Sequence, residues 1–214
     1  MAVESGVASE NAVEVIREVA VPVRATGDPQ VFGWLAFVVG STCLGLSLVG
    51  FVPAGTLGAP LAIIFGCTAL ALVISTIWAA NLGQSYVAGA FGIFSTFWVS
   101  YTGLVLGLTH GWFAIAPEAV GKTVLAFLAA WAVGIGLLTL SSVRLPVAYT
   151  IDIALVDLAL IVLYFANDSA SAGLTKLGGY IVLSFAALGA YIWLSVADQS
   201  LGGPGYPMGK PLRT

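Results

Sequence analysis

"VAYTIDIALVDLALIVLYF", residues 147–165, sets two carboxylates, Asp152 and Asp157, in a run that is otherwise apolar and largely β-branched. In a soluble chain it reads as an exposed helix. Its length, close to the roughly 20 residues a helix needs to cross the hydrocarbon of a bilayer, permits another reading, and composition decides between them. The 214 residues are 59% hydrophobic and 8% charged, with a mean hydropathy of +1.04, where soluble domains carry about 25% charged residues. The stretch is therefore a membrane span, and the chain an integral membrane protein.

Working outward from it, five further stretches have the length and apolarity of a span. The six are expected at about 31–52, 57–80, 85–108, 122–141, 147–165 and 174–196. Short connections make neighbours antiparallel, so the fold class is all-α, six transmembrane helices in one compact bundle. An even number of spans puts both ends of the chain on one side. Arg17, Arg24, Arg144, Lys210 and Arg213 fall on that side and Lys122 and Lys176 on the other, so the positive-inside rule makes both termini cytoplasmic. The domain reading is a polar segment 1–28, a membrane domain 29–200 and a cytoplasmic tail 201–214. Within the first segment "NAVEVIREVA" (11–20) reads as a short amphipathic helix or a disordered tail. The helix would have Asn11 as cap, Glu14 closing a capping box and Val13, Ile16 and Ala20 on one face.

Several functions are disfavoured. No basic patch points to nucleic acid, and no GxxxxGK[ST] loop to an ATP-driven pump. His110 and the scattered acids lack metal-ligand spacing, and Cys43 and Cys67 read as packing residues inside apolar runs. No nucleophile–base pair is visible, so neither an enzyme nor a cofactor is expected. Six spans, with Lys176 at the start of the last, disfavour a retinal-type pump.

Glycines are abundant, 26 in all. Gly40 and Gly45, Gly134 and Gly136, and Gly178 with Gly179 offer small surfaces where helices approach closely. The first span opens "GDPQVFGWLAF", with Asp28 as cap and Pro29 at the first helical position. Gly33, Phe37, Gly40 and Leu44 then share one face. In the third span, "AGAFGIFSTFWVSY", Phe94, Phe97 and Tyr101 recur at helical period beside Trp98. Ser95, Thr96 and Ser100 interleave with them as hydrogen-bonding groups. Period alone reads both stripes as packing, or as rings narrowing a pore.

An ordered series of these motifs resembles the acetate uptake transporter family (succinate–acetate permease, or YaaH-type, proteins). "DPQVFGWLAF" keeps Pro29 and Gly33 of that family's Asn-Pro-Ala-Pro-Leu-Gly-Leu opening and Phe37 of the Gly-Phe that follows it. "LVGF" at 48–51, "AFGIFSTFW" at 90–98, "GGYIVLSFAALGAY" at 178–191 and "PGYPMGKPL" at 204–212 follow in order. The resemblance implies a homohexamer in the plasma membrane with a substrate path through each subunit. It also implies uptake of acetate or succinate, either proton-coupled or channel-like. The path's three constricting residues fall on Phe37, Phe94 and Val156, or Leu155 if the register of the fifth helix slips by one. Departures are Asp28 for the signature Asn, a lost second Pro, and Phe94 for a Tyr. A drier ring gates by dewetting and favours a small or protonated monocarboxylate over a dicarboxylate.

An ionised Asp at the centre of a span costs about 2.5–3.5 kcal/mol on insertion scales. Asp157, beside Val156, is therefore expected to face the bundle interior or an aqueous path, or to be protonated; the path is the favoured placement, and Asp157 is the candidate proton carrier. Asp152 lies about 140° around the helix from it and reads as structural, bonding a neighbouring helix or subunit. The overall expectation is a transporter of small monocarboxylates, acetate first, with the proton as partner. A passive anion channel and a non-transporting assembly protein are the alternatives.

Overall fold

The computed structural model describes residues 26–53 and 58–213. The helix expected at 11–20, with Arg17 and Arg24, lies outside them. Six helices in the described residues are long and apolar enough to cross a membrane: Gln30–Leu48, Pro60–Asn81, Ser85–His110, Pro117–Arg144, Val147–Asp168 and Ala172–Ser200. They are the first to sixth spans below.

The first span stops at Leu48, four residues short of expectation, for a local reason. Gly50 adopts φ +89°. Its N–H reaches the Ser47 carbonyl at 3.2 Å, and the Phe51 N–H reaches the Leu46 carbonyl at 3.0 Å. That pair of bonds closes the helix in a Schellman turn, which a side chain at position 50 would strain. The hydropathy of "VGFV" conceals this stop.

The second span is not regular throughout, because Ile64–Ala69 is a π-helix. Thr68, fully buried there, donates its hydroxyl to the Ala36 carbonyl of the first span at 2.8 Å. Ser95 of the third span donates to the Ala69 carbonyl at 3.0 Å. Irregular backbone at membrane depth survives where protein buries it, and these two bonds tie three spans at one level. Thr68→Val keeps the shape and removes the donor. It is expected to lower stability by about 0.5–1.5 kcal/mol, read as an earlier unfolding onset in detergent.

The first and sixth spans form the closest seam, the fifth lies between the fourth and sixth, and the second pairs with the third. Gly179 faces Leu48 and the Val49 backbone, while Gly45 faces Leu183 and the Gly179 carbonyl. Gly134 does not follow this pattern: the nearest side chain to it is Trp131 of its own helix.

After the sixth span the chain turns back as a strap. Gly205 N–H donates to the Asp198 carboxylate at 2.8 Å, Tyr206 N–H to Ser195 Oγ at 2.8 Å, and Tyr191 OH to the Pro207 carbonyl at 2.8 Å. Ala148 N–H then donates to the Met208 carbonyl, and Arg213 N–H to the Val143 carbonyl, both at 3.0 Å. The strap thus holds the start of the fifth span against the end of the sixth.

Candidate path through the bundle

Three cavities follow one another along the bundle, and shared side chains mark the passages between them. The first, about 240 Å³, opens on the side where the first span starts. Gln30, Trp34, Tyr86, Pro146, Tyr149 and Ile153 are among its lining residues. The third, about 400 Å³, opens on the opposite side beside Thr109, Asn167 and Thr175. Between them lies a cavity of about 30 Å³, room for about two waters. Phe37 and Phe94 line both the first and the middle cavity. Leu44, Phe97, Leu160 and Leu163 line both the middle and the third.

The structure brings the three expected constriction residues together. Phe37, Phe94 and Val156 come from the first, third and fifth spans, line the middle cavity and are 3%, 6% and 6% exposed. The Phe37 and Phe94 rings are 5.2 Å apart, tilted at 58°. Leu155 is only half-buried and lines none of the three cavities. Helical period accounts for the lining of the fifth span: Tyr149, Ile153, Val156, Leu160 and Leu163 recur at four, three, four and three residues, one stripe of an α-helix.

Two members of the ring escaped the sequence reading. Phe185 of the sixth span stacks on Phe37 at 5.7 Å, and Trp34 meets Phe37 edge-on at 5.7 Å and Tyr149 at 5.8 Å. A signal for Phe185 existed, since Gly178, Val182, Phe185 and Gly189 share one helical face. Phe97 and Trp98 are buried in the core, and Tyr101 packs against it. Of the interleaved hydroxyls, Ser95 crosses to another span, whereas Thr96 and Ser100 bond to their own helix.

At the mouth of the first cavity Asp28 Oδ1 accepts the Gln30 N–H at 2.9 Å, and Oδ2 lies 3.5 Å from Gln30 Nε2. The carboxylate therefore occupies the helix N-terminus that would otherwise attract an anion. Pro29 is buried behind it.

Asp157 turns toward a neighbouring span of the bundle, not toward the path. Its carboxyl lies against Gly136 of the fourth span, and it lines none of the three cavities. It sits about 80° around the helix from the middle of the lining stripe, which turns it toward the fourth span. Asp152 is 0% exposed, and no donor or acceptor among the described residues is within hydrogen-bonding distance of either of its oxygens.

What the arrangement can do follows from its polarity. The middle cavity is lined by phenylalanine, tryptophan and aliphatic side chains. An unpaired carboxylate loses most of its hydration there at high cost, whereas a neutral acid of the same size loses far less. Both outer cavities carry polar side chains at their mouths. Among the described residues, no group of three or more His, Cys, Asp or Glu side chains is placed to hold a metal ion, and both cysteines are free.

Comparison with known proteins agrees with this architecture. A family model described as the GPR1/FUN34/yaaH family matches residues 14–200. The chain is 26% identical over 183 residues to an acetate transporter protein, patA, of Penicillium expansum, covering 82% of this chain and 73% of that one. It is 25% identical over 202 residues to the patA acetate transporter of Aspergillus clavatus, covering 90% and 81%. Among solved structures it superposes on the bacterial acetate channel SatP with a TM-score of 0.76 at 19% identity, covering 86% of this chain and 99% of that chain.

Proposed function

Because the chain belongs to the GPR1/FUN34/yaaH family, we propose that it carries small monocarboxylates, acetate first, through the path within each subunit. The observation that carries the proposal is the middle cavity, pinched between two wider ones by Phe37, Phe94 and Val156. An apolar constriction of this size passes a small neutral acid and rejects a hydrated dianion, which argues for acetate over succinate. The patA transporters are similar over most of both chains, which supports acetate as the solute.

Proton coupling is part of the reading, since the acid crosses the ring most cheaply with its proton. A passive acetate channel is the second reading, favoured by the likeness to a chain described as an acetate channel. Both termini are placed in the cytoplasm, with Arg144, Lys210 and Arg213 on that side of a plasma membrane. Lys122 and Lys176 lie on the other, where Lys122 pairs with Asp168 at 3.7 Å. The polar segment 1–28 and the tail 201–214 are then cytoplasmic, and six copies form the homohexamer.

Labelled acetate uptake into proteoliposomes, with and without an inward proton gradient, tests the reading. Accumulation above equilibrium driven by the gradient is expected for coupled transport. Equal, gradient-indifferent flux identifies the channel, and no flux from a stably assembled protein identifies an assembly role.

Asp28 gives a second handle. Its negative charge at the mouth of the first cavity repels anions entering there. Asp28→Asn keeps an acceptor for the Gln30 N–H and removes the charge. Acetate flux from the first-cavity side at low salt is expected to rise about two- to fivefold, an effect that added salt suppresses because the charge is screened over about 10 Å at 0.1 M.

A further inference from the structure

Asp152 is the carboxyl with both oxygens buried and unpartnered among the described residues, whereas Asp157 has one such oxygen. Asp152 recurs with Val156, Ala159 and Leu163 at spacings of four, three and four residues, so these side chains form one stripe along the fifth span. The last three line the middle cavity. Asp152 itself lines none of the three cavities; it lies about 6 Å along the helix from Val156 toward the first cavity, directly behind the wall that its neighbour Ile153 and Tyr149 build there. Leu163, on this stripe, packs against Gly178 of the sixth span. The stripe edge carrying Asp152 therefore faces the seam between the fifth and sixth spans, away from Asp157 and the fourth.

Among the described residues neither Asp152 oxygen has a hydrogen-bond partner, and the residue is 0% exposed. Charged and titratable groups on its own helix and the surrounding elements are Arg144, Tyr149, Asp157, Tyr164 and Asp168, then Lys176, Tyr180, Tyr191, Asp198, Tyr206, Lys210 and Arg213 of the sixth span and strap, with Asp28 and Cys43 at the first span and Tyr86 and Tyr101 on the third. None of them makes a hydrogen bond or ion pair to Asp152. An ionised carboxylate buried without a counter-charge is strongly destabilising in a membrane bundle. An ionisable residue in that position within a span is a candidate functional site.

We propose that Asp152, not Asp157, is the proton-holding residue of the path, at the first-cavity threshold of the constriction. In the proton-loaded state the carboxyl is neutral and the middle cavity stays dry. Loading requires the wall at Tyr149 and Ile153 to part, since Asp152 is 0% exposed behind it; it then breaks an O–H bond of a hydronium ion or carboxylic acid in the first cavity and forms one on an Asp152 oxygen. The electron pair of the broken bond stays with the water or carboxylate left behind. Discharge returns the proton to water or to a passing carboxylate. This inference rests on the carboxylate-path reading, but its first test does not.

The test is the infrared spectrum of the reconstituted protein, which reads protonated carboxyls through their C=O stretching band without any transport. Wild type, Asp152→Asn and Asp157→Asn are compared at neutral pH, each first shown to be monodisperse in detergent. The band is expected in wild type and Asp157→Asn and absent in Asp152→Asn. A band that persists in Asp152→Asn, or is lost only in Asp157→Asn, overturns the proposal. If Asp152→Asn does not fold, Asp152→Glu substitutes for it: a shifted band supports the assignment and an unshifted one overturns it. Acetate flux is the second readout. The ratio of Asp152→Asn to wild-type flux, which cancels the titration of acetate itself, is expected to change by up to about tenfold per pH unit. A ratio constant with pH overturns the coupling of Asp152 to the path. Absence of wild-type flux removes the carboxylate-path reading while leaving the infrared assignment standing.

Discussion

Phe37→Ala is expected to raise acetate flux by about tenfold, equivalent to removing ~1.4 kcal/mol from the barrier, and to admit propionate and butyrate. Phe37 separates the first cavity from the middle one and is the hub of the aromatic ring. It contacts Phe94 at 5.2 Å, Phe185 at 5.7 Å and Trp34 at 5.7 Å. Removing its ring joins the two cavities and lets water reach Val156, so a larger or partly hydrated acid passes. The same change removes a side chain that is 3% exposed, so a loss of about 3–5 kcal/mol in stability accompanies the gain in flux. Uptake of the three acids into proteoliposomes, normalised to folded protein, checks it. A folded variant with wild-type rate and unchanged preference among the three would mean that solute does not pass this ring.

The second large effect concerns assembly. Gly179→Leu is expected to abolish recovery of monodisperse protein. A Cβ built at Gly179 lies 2.8 Å from Leu48 Cβ and 3.0 Å from the Val49 backbone nitrogen. Neither atom can swing aside as the end of a long side chain would. The first and sixth spans would have to separate, at a cost above the usual 1–3 kcal/mol of overpacking. Gly134→Ala is the matched control. Its nearest neighbour is Trp131 at 4.0 Å, and it is expected to be neutral within about 0.5 kcal/mol. Size-exclusion profiles in detergent separate the two outcomes.

How far the sequence alone reaches differs between levels of structure. Long apolar runs disclosed the six spans because hydropathy is a property of each segment by itself. The bounds moved where backbone geometry intervened, as at Gly50, whose positive φ ends the first span within a run that stays apolar. The π-helix at Ile64–Ala69 left no comparable trace. It depends on Thr68 and Ser95 finding carbonyls on neighbouring spans, and a single-helix pattern contains no information about neighbours. Gly45 and Gly179 were legible as small surfaces, but not that they face each other, and Gly134 had the same signature without a partner.

The aspartates show the limit most clearly. Period places Asp152 and Asp157 on opposite flanks of the lining stripe. It does not say which flank meets the fourth span and which the sixth. With Asp157 against Gly136, adjacency to Val156 in sequence was a poor guide to adjacency in space. Phe37, Phe94 and Val156 were picked out by ordered resemblance, not by period, since both aromatic stripes also fit ordinary packing. Phe185 and Trp34 were missed because a path wall is closed by residues from several spans, each unremarkable alone.

On the proposed function, solute passes between Phe37, Phe94 and Val156 inside one subunit. It is tested by acetate flux through Val156→Cys before and after a small neutral, membrane-permeant thiol reagent, with Cys43 and Cys67 first replaced by serine. Labelling is expected to abolish flux, and saturating acetate to slow the labelling. Leu158→Cys, at a position 45% exposed on the outer face of the same helix, is expected to be labelled without effect. Undiminished flux through fully labelled Val156→Cys, or equal block from Leu158→Cys, would contradict it.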